Sequence, residues 1–447
     1  MKIAIVSQPW EAINQKAVGA SSIATITYRL ARGLAEQDEV VIYAKRREGQ
    51  AATERDDKGI LYRRIDTRME KNLLTPLVIA DRVTSFFNPR IPLVATSWYY
   101  KRYATEVARD IHTQGCDIVH LHNFSQFAPI IRKYNPNARI VLHMHCQWLT
   151  QLSERALARR LEDVDLVLGC SDYITDGARE RFPRYAGRFA TLFNGVQIPE
   201  KDLPLDPRAA DAPLRLLYVG RLSPEKGVHV LIDAFNRIAE QVPNVHLDVV
   251  GPPGLLAYNF LVGLSDDDKT ANLKRFYGRS LSEKIRIQLI EKEKSYLAYL
   301  KRIQTPDAAA RTTYHGYVPH GERMDAFYRN ADLFVLPSVC NEAFGMTPAE
   351  AMVFGVPSVV ARSGGVVEVI DEGVTGTVVE RDDPQAMADA VVRFLRDASL
   401  RTSMRDACQK RARALFGWNV LAGELRAIYA SLLADAPQTR TPATLAS

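Results

Sequence analysis

The sequence has little of what marks an exported, metal-bound or membrane-spanning chain. Its 447 residues hold only five cysteines, Cys116, Cys146, Cys170, Cys340 and Cys408. They are odd in number, scattered, and lack the close pairing of a zinc site or a disulfide framework. That usage is expected of a reducing cytoplasm. The longest uncharged stretch, Val249 to Ser265, falls short of the roughly 20 apolar residues a spanning helix needs, and Gly251-Pro252-Pro253-Gly254 interrupts it. No fixed-period repeat is present, which excludes solenoids and propellers. The formal charge of +6 is too small and dispersed to indicate nucleic acid, though it favours anionic substrates or an anionic lipid surface. Also missing is the G-x-G-x-x-G turn after the first apolar run, where Ser7-Gln8-Pro9-Trp10-Glu11 stands instead. A dinucleotide oxidoreductase needs that turn.

What is present suits a soluble globular protein of two domains: nearly half the residues are hydrophobic and a quarter charged. Met1-Lys2 leads directly into Ile3-Ala4-Ile5-Val6, which reads as a buried strand rather than a secretory signal. Strand-like runs at Ile3–Val6, Val40–Tyr43, Ile118–Leu121, Ile140–His143 and Leu166–Leu168 alternate with amphipathic segments such as Ile23–Glu36. This alternation is that of parallel βαβ units. It restarts after a Pro-rich, charged segment, with runs at Leu214–Val219, Val245–Val250, Leu333–Leu336, Ser358–Val360 and Gly376–Val379. The expected division is 1–198, 199–416, a helix over 417–434 and an inert tail over 435–447. The irregular segment 254–311 is expected to be a decoration of the second domain.

The most informative stretch is Asn341-Glu342-Ala343-Phe344-Gly345-Met346-Thr347-Pro348-Ala349-Glu350, which follows one strand and opens a helix. Unpaired N–H groups at such a terminus, here on Phe344, Gly345 and Met346, suit a phosphate. Glu350 is placed to accept ribose hydroxyls, and Glu342 to sit near the group attached beyond the phosphates. The same domain begins with Leu216 to Gly227, a strand ending in Gly220 and followed by Arg221 and Lys226. Two cations at the carboxyl end of a parallel strand suit a diphosphate. Asp266-Asp267-Asp268, in the irregular segment beside Lys269, reads as a solvated charge cluster rather than a metal site.

With these residues the chain resembles glycosyltransferase family four, the large retaining family with the GT-B fold, whose marker is the Glu, seven residues, Glu spacing found at Glu342 and Glu350. The resemblance includes Asp117-Ile118-Val119-His120-Leu121-His122, Phe193-Asn194-Gly195-Val196, Gly220-Arg221-Leu222 with Lys226-Gly227, Ala331 to Ser338, Gly355-Val356-Pro357, and Gly364-Gly365 with Glu368. It implies two Rossmann-like domains around a cleft, with the C-terminal helix crossing back to the first. It also implies a nucleotide-sugar donor, UDP- or GDP-linked, with no further cofactor and no metal. Arg221 and Lys226 would bind the diphosphate, Phe344, Gly345 and Met346 would supply amides, Glu350 the ribose contact and Glu342 the contact to the transferred sugar. The first domain would hold the acceptor, a glycan, lipid-linked or small molecule, with the Gly19-Ala20-Ser21-Ser22 loop facing the cleft.

Of His143 and His145, only the later reaches the carboxyl end of a strand starting near Arg139, so His145 is expected near the reacting sugar. Here the chain departs from the family, with Gly19-Ala20 in place of two glycines and Cys146 after the histidine. A phosphorylase or nucleotide-sugar epimerase of the same fold is the rival reading. The segment Leu73 to Tyr103, with Phe86, Phe87, Trp98, Tyr99 and Tyr100 among arginines and a lysine, is either a peripheral membrane contact at the inner face of the plasma membrane or a buried helix pair.

Overall fold

The computed structural model describes residues 1–13, 21–84, 92–199, 211–256, 264–265, 267–277 and 294–435. Short runs of Val, Ile and Leu, apolar on both faces, form the inner strands of two sheets, as expected where helices cover both sides. The first sheet contains β1 (Lys2–Val6), β2 (Glu39–Lys45), β3 (Thr53–Arg55), β4 (Leu61–Ile65), β5 (Ile118–His122), β6 (Arg139–Met144), β7 (Leu166–Gly169) and β8 (Phe189–Thr191). Its order is β3-β4-β2-β1-β5-β6-β7-β8, parallel except for β3 against β4. The second contains β9 (Leu214–Val219), β10 (Val245–Val250), β11 (Thr312–Gly316), β12 (Leu333–Leu336), β13 (Ser358–Ala361) and β14 (Gly376–Val379). It is parallel in the order β11-β10-β9-β12-β13-β14. In each sheet the strand order reverses once, between β1 and β5 and between β9 and β12. Open α/β sheets bind ligands at the carboxyl ends of the strands flanking such a reversal.

Five helices bear on the site and on the domain junction: α1 (Ser22–Leu34), α2 (Asp172–Arg181), α3 (Val228–Gln241), α4 (Met346–Val353) and α5 (Trp418–Ala434). Ser21 and Ser171 begin α1 and α2 by accepting the N–H of Ala24 at 3.3 Å and of Ile174 at 3.2 Å. The C-terminal helix α5 returns to the first sheet, where Leu421, Leu425 and Tyr429 join a core with Leu30, Ile118 and Val141. The two domains meet over aromatic rings: Phe193 lies 5.8 Å from Phe344 and 5.7 Å from Phe416 between ring centres.

Among the described residues no helix is long and apolar enough to cross a membrane. Tyr99 and Tyr100 are buried in the first domain, so this part of the aromatic segment belongs to the core, with Tyr99 packed on Trp10 and Phe124. Met69, Leu73, Leu77 and Trp98 are exposed. Phe86 and Phe87 lie outside the described residues.

Candidate functional site

The loops after β9 and β12, the neighbours at the reversal of the second sheet, carry the charged groups. A turn at Pro224–Lys226 ends in Gly227, whose φ of +66° is left-handed. A side chain there would place its Cβ 1.9 Å from the Pro337 carbonyl oxygen, so only glycine lets one loop rest on the other. The result is that Lys226 Nζ lies 2.7 and 2.8 Å from the two oxygens of Glu342, while Ser338 Oγ also donates to that carboxylate. Burial alone would raise the Glu342 carboxyl, but the Lys226 ammonium and the Ser338 hydroxyl hold it below its ordinary value. Arg221 pairs with Glu225 at 2.8 Å, and Ser223 Oγ donates to the same oxygen at 2.6 Å.

Gly345, with φ of +121°, leads into α4 and makes no side-chain cap. The first-turn N–H groups of a helix have no intrahelical acceptor, and a Cβ on Gly345 would stand 2.7 Å from Val366 Cγ2. Phe344 turns its ring into the domain junction, where it is buried. Glu350, on α4, accepts the Tyr328 hydroxyl at 2.6 Å through Oε2, and burial raises its carboxyl.

On the first domain the register pairs His122 with His143, and His145 lies just beyond the end of β6. Its backbone N–H donates to Asn123 Oδ1 at 2.7 Å, and Asn123 adopts a left-handed φ of 62°, a conformation asparagine tolerates better than most residues. His145 Nδ1 lies 3.0 Å from Asn194 Oδ1 and Nε2 lies 2.9 Å from His122 Nδ1. Burial lowers the His145 imidazole to about 4, opposed by the bond to Asn194.

His145, Arg221, Lys226 and Glu342 all line one interdomain cleft of about 460 Å³. His143 does not reach it and is fully buried. Glu350, Phe344, Gly345 and Met346 are not among the residues lining this volume; they lie on and before α4. Gly19 falls outside the described residues.

Three cleft residues, Leu256, Ser265 and Thr270, come from the segment 254–311, which corrects its reading as a decoration. It is anchored beside the cleft because Asp267 pairs with Arg381 through two contacts of 3.0 Å and caps the next turn through Thr270, while Lys269 donates to the Arg381 carbonyl. Asp267 is thus occupied by an arginine. Sequence reasoning also assigned no role to Asn123, Asn194 and Gln147. Each sits one to three residues beyond a strand end, and Asn194 also belongs to the Phe193–Val196 turn that the family resemblance includes.

Hydrogen bonds between the domains run beside the cleft, which Gln147, Asn341 and Ala343 also line. Gln147 Nε2 donates to the Asn341 carbonyl at 2.9 Å, and Ser171 Oγ to the Ala343 carbonyl at 2.6 Å. Glu368 of the second domain accepts the N–H groups of Asp172 and Tyr173, each at 2.7 Å, in the first turn of α2.

Two family models divide the chain between them: "Glycosyltransferase Family 4" matches residues 23–198 and "Glycosyl transferases group 1" matches residues 206–414. The chain belongs to glycosyltransferase family 4. A Bacillus subtilis protein described as a glycosyltransferase, YtcC, is 25% identical over 349 residues, covering 74% of this enzyme and 77% of that protein. The lipopolysaccharide 1,2-N-acetylglucosaminetransferase of Salmonella typhimurium is 28% identical over 283 residues, 62% of this enzyme and 63% of its own length. Among solved structures, HepE of Anabaena in complex with UDP superposes with a TM-score of 0.62 at 17% identity, covering 96% of this enzyme and all of that chain. The fold of this glycosyltransferase is GT-B.

Proposed function

We propose that this glycosyltransferase moves a hexose from a nucleoside-diphosphate donor to an acceptor hydroxyl, with retention at the anomeric carbon. The reaction would serve polysaccharide, glycolipid or glycoconjugate synthesis. The observation that carries this reading is the convergence of Arg221, Lys226 and Glu342 from one domain and His145 from the other on one cleft. In support, HepE, which shares the fold, is bound to UDP, and a UDP- or GDP-linked donor is the class we assign here. The second domain takes the donor and the first the acceptor, with residues near 199 and 416 as the boundaries.

The bond that breaks joins the anomeric carbon to the diphosphate, and fixed cations lower the barrier by meeting the charge that develops on the leaving oxygen. Arg221 and Lys226 supply them, and the N-terminus of α4 supplies backbone N–H groups. Glu350, whose Oε2 accepts the Tyr328 hydroxyl, accepts the ribose hydroxyls. The acceptor hydroxyl attacks from the leaving-group side, and its proton passes to the departing phosphate. A double displacement needs a free carboxylate nucleophile, and Glu342 is held on both oxygens by Lys226, which favours the single-step route. His145 contacts the transferred sugar. All five cysteines are free, in keeping with a cytoplasmic enzyme. The exposed apolar residues Met69, Leu73 and Leu77, spaced by four along one helix, with the Arg102 guanidinium 3.6 Å from the Met69 sulfur, are our candidate for contact with an anionic membrane surface.

A thermal-shift screen against nucleoside diphosphates and their sugars, followed by NMR of the product's anomeric proton, tests the reading. Stabilisation by one donor and a retained configuration support it. No stabilisation by any nucleotide, or turnover that requires inorganic phosphate, would overturn it.

A further inference from the structure

Four imidazoles stand in a row behind the cleft, and the transfer reaction as proposed uses only one of them. His120 and His122 on β5 and His143 on β6 are fully buried, and His145 ends the row at the cleft. Their hydrogen bonds fall into two short chains. At one end the Tyr429 hydroxyl of α5 meets His120 Nδ1 at 2.6 Å, and His120 Nε2 meets His143 Nδ1 at 3.3 Å. At the other end, Asn194 Oδ1, His145 and His122 form the second chain.

The second chain has a direction. A side-chain amide oxygen only accepts, so the hydrogen between Asn194 and His145 sits on Nδ1 of the imidazole. A neutral ring then carries a lone pair on Nε2. His122 Nδ1, 2.9 Å away, must therefore present its own hydrogen, and that leaves His122 Nε2 bare. Among the described residues, His122 Nε2 is indeed a buried nitrogen without a hydrogen-bond partner. A buried polar atom left unpaired is unfavourable and is kept where something is gained by it.

We propose that Asn194 and His122 are positioning residues that hold His145 in its Nδ1–H tautomer, so that Nε2 is an acceptor which passes from His122 to a hydroxyl of the bound sugar. This rests on the reading that His145 contacts the transferred sugar. It makes His145 a neutral acceptor and rules it out as a proton donor to the leaving phosphate. The surroundings agree: burial, with His120 and His145 nearby, depresses His122 well below the ordinary histidine value, and burial lowers His145. The titratable groups facing His145 are His120 and His122 on β5, His143 and Cys146 on its own strand and loop, and Arg221, Lys226, Glu225 and Glu342 across the cleft.

The same histidines invite a metal reading, since ligand atoms of His120, His122 and His143 lie within 4.8 Å of one another. Hydrogen bonding opposes it. Both nitrogens of His120 are already engaged, by the Tyr429 hydroxyl and by His143, which leaves that ring no free lone pair for a metal.

Long-range ¹⁵N–¹H NMR of the histidine-labelled full chain reads the tautomer directly, without reference to activity. The wild type is expected to show His145 with a protonated Nδ1 and a bare Nε2. His122→Phe should mix the tautomers and lower kcat about tenfold, the worth of one hydrogen bond, with nucleoside-diphosphate affinity unchanged. His122→Asn, which restores an N–H at the Nδ1 position, should recover most of both. Asn194→Asp should favour the imidazolium and move the acidic limb of the kcat profile to higher pH. An Nε2–H tautomer in the wild type would overturn the proposal, as would a His145 signal indifferent to both His122→Phe and Asn194→Asp. Stoichiometric zinc or nickel in the purified protein, lost in His122→Phe, would replace it with a metal site. If the tautomer is as stated and yet His145→Ala turns over normally, the role of His145 in transfer fails while the hydrogen-bond assignment stands.

Discussion

Lys226 holds both oxygens of Glu342, at 2.7 and 2.8 Å, across 116 positions of sequence. The pair ties the loop after β9 to the loop after β12, and its charges are partly screened from water, with 28% and 17% of the side chains exposed. The lysine therefore neutralises a carboxylate that lines the cleft. Under the proposed function, a donor diphosphate would compete for that lysine.

Removing the lysine should cost stability in a pH-dependent way. The folded-state value of Glu342 is depressed, burial being outweighed by Lys226 and Ser338. Its contribution is thus full above the ordinary carboxylate value and is lost as pH falls through the depressed one. Lys226→Met should lose about 1.5–3 kcal/mol at pH 7, the range for hydrogen bonds to charged groups, and much less near pH 3. Urea unfolding at the two pH values measures this; equal losses at both would show that the pair is not the cause.

Glu350→Ala should weaken binding of a free nucleoside diphosphate by about 1.5–3 kcal/mol for each ribose hydrogen bond removed. Titration calorimetry on the folded mutant is the measurement. Tyr328 loses its acceptor in the same variant, so Tyr328→Phe serves as the control and should bind nearly as the wild type does. Unchanged affinity in Glu350→Ala would reject the ribose role.

The two histidines of β6 and its loop should separate cleanly. His145→Ala should lower kcat about tenfold, the worth of one hydrogen bond to the sugar, while leaving diphosphate affinity nearly unchanged, because the residue belongs to the opposite domain. His143→Ala should act on stability, since it empties a fully buried site. Steady-state kinetics with thermal melts decide it, and a larger kcat loss at His143 would reverse the assignment.

Transfer should survive chelation of divalent cations. Arg221, Lys226 and the α4 terminus are the groups placed to offset diphosphate charge, and Asp267 is already paired with Arg381. If a chelator stops turnover and magnesium restores it, that assignment is wrong.

The inner strands were legible because each is a short apolar run bounded by turn residues, as in Ile3–Val6 or Leu333–Leu336. Four strands were not. β3, β8 and β11 are short or polar at sheet edges, and β4 carries Arg63 and Arg64, so hydrophobic pattern could not mark them. In the candidate site, the place of Arg221, Lys226 and Glu342 on loops that follow apolar strand runs could be read, whereas the strand reversal beside them could not. Asn194 and His122 could not be given roles, because hydrogen bonds between strands distant in sequence leave no local pattern. Nor could the cleft contribution of Ser265 and Thr270, which depends on the Asp267–Arg381 pair made across 114 positions.

Glu368 finishes a helix that belongs to the other domain. Because its carboxylate is the acceptor for the Asp172 and Tyr173 amides, any hinge motion that parts the domains leaves those two N–H groups to solvent while the rest of α2 stays intact. The molecule thereby carries its own gauge of opening: amide exchange at these two positions clocks how often the enzyme gapes, and a bound donor that holds it shut would slow both together without altering the helix behind them.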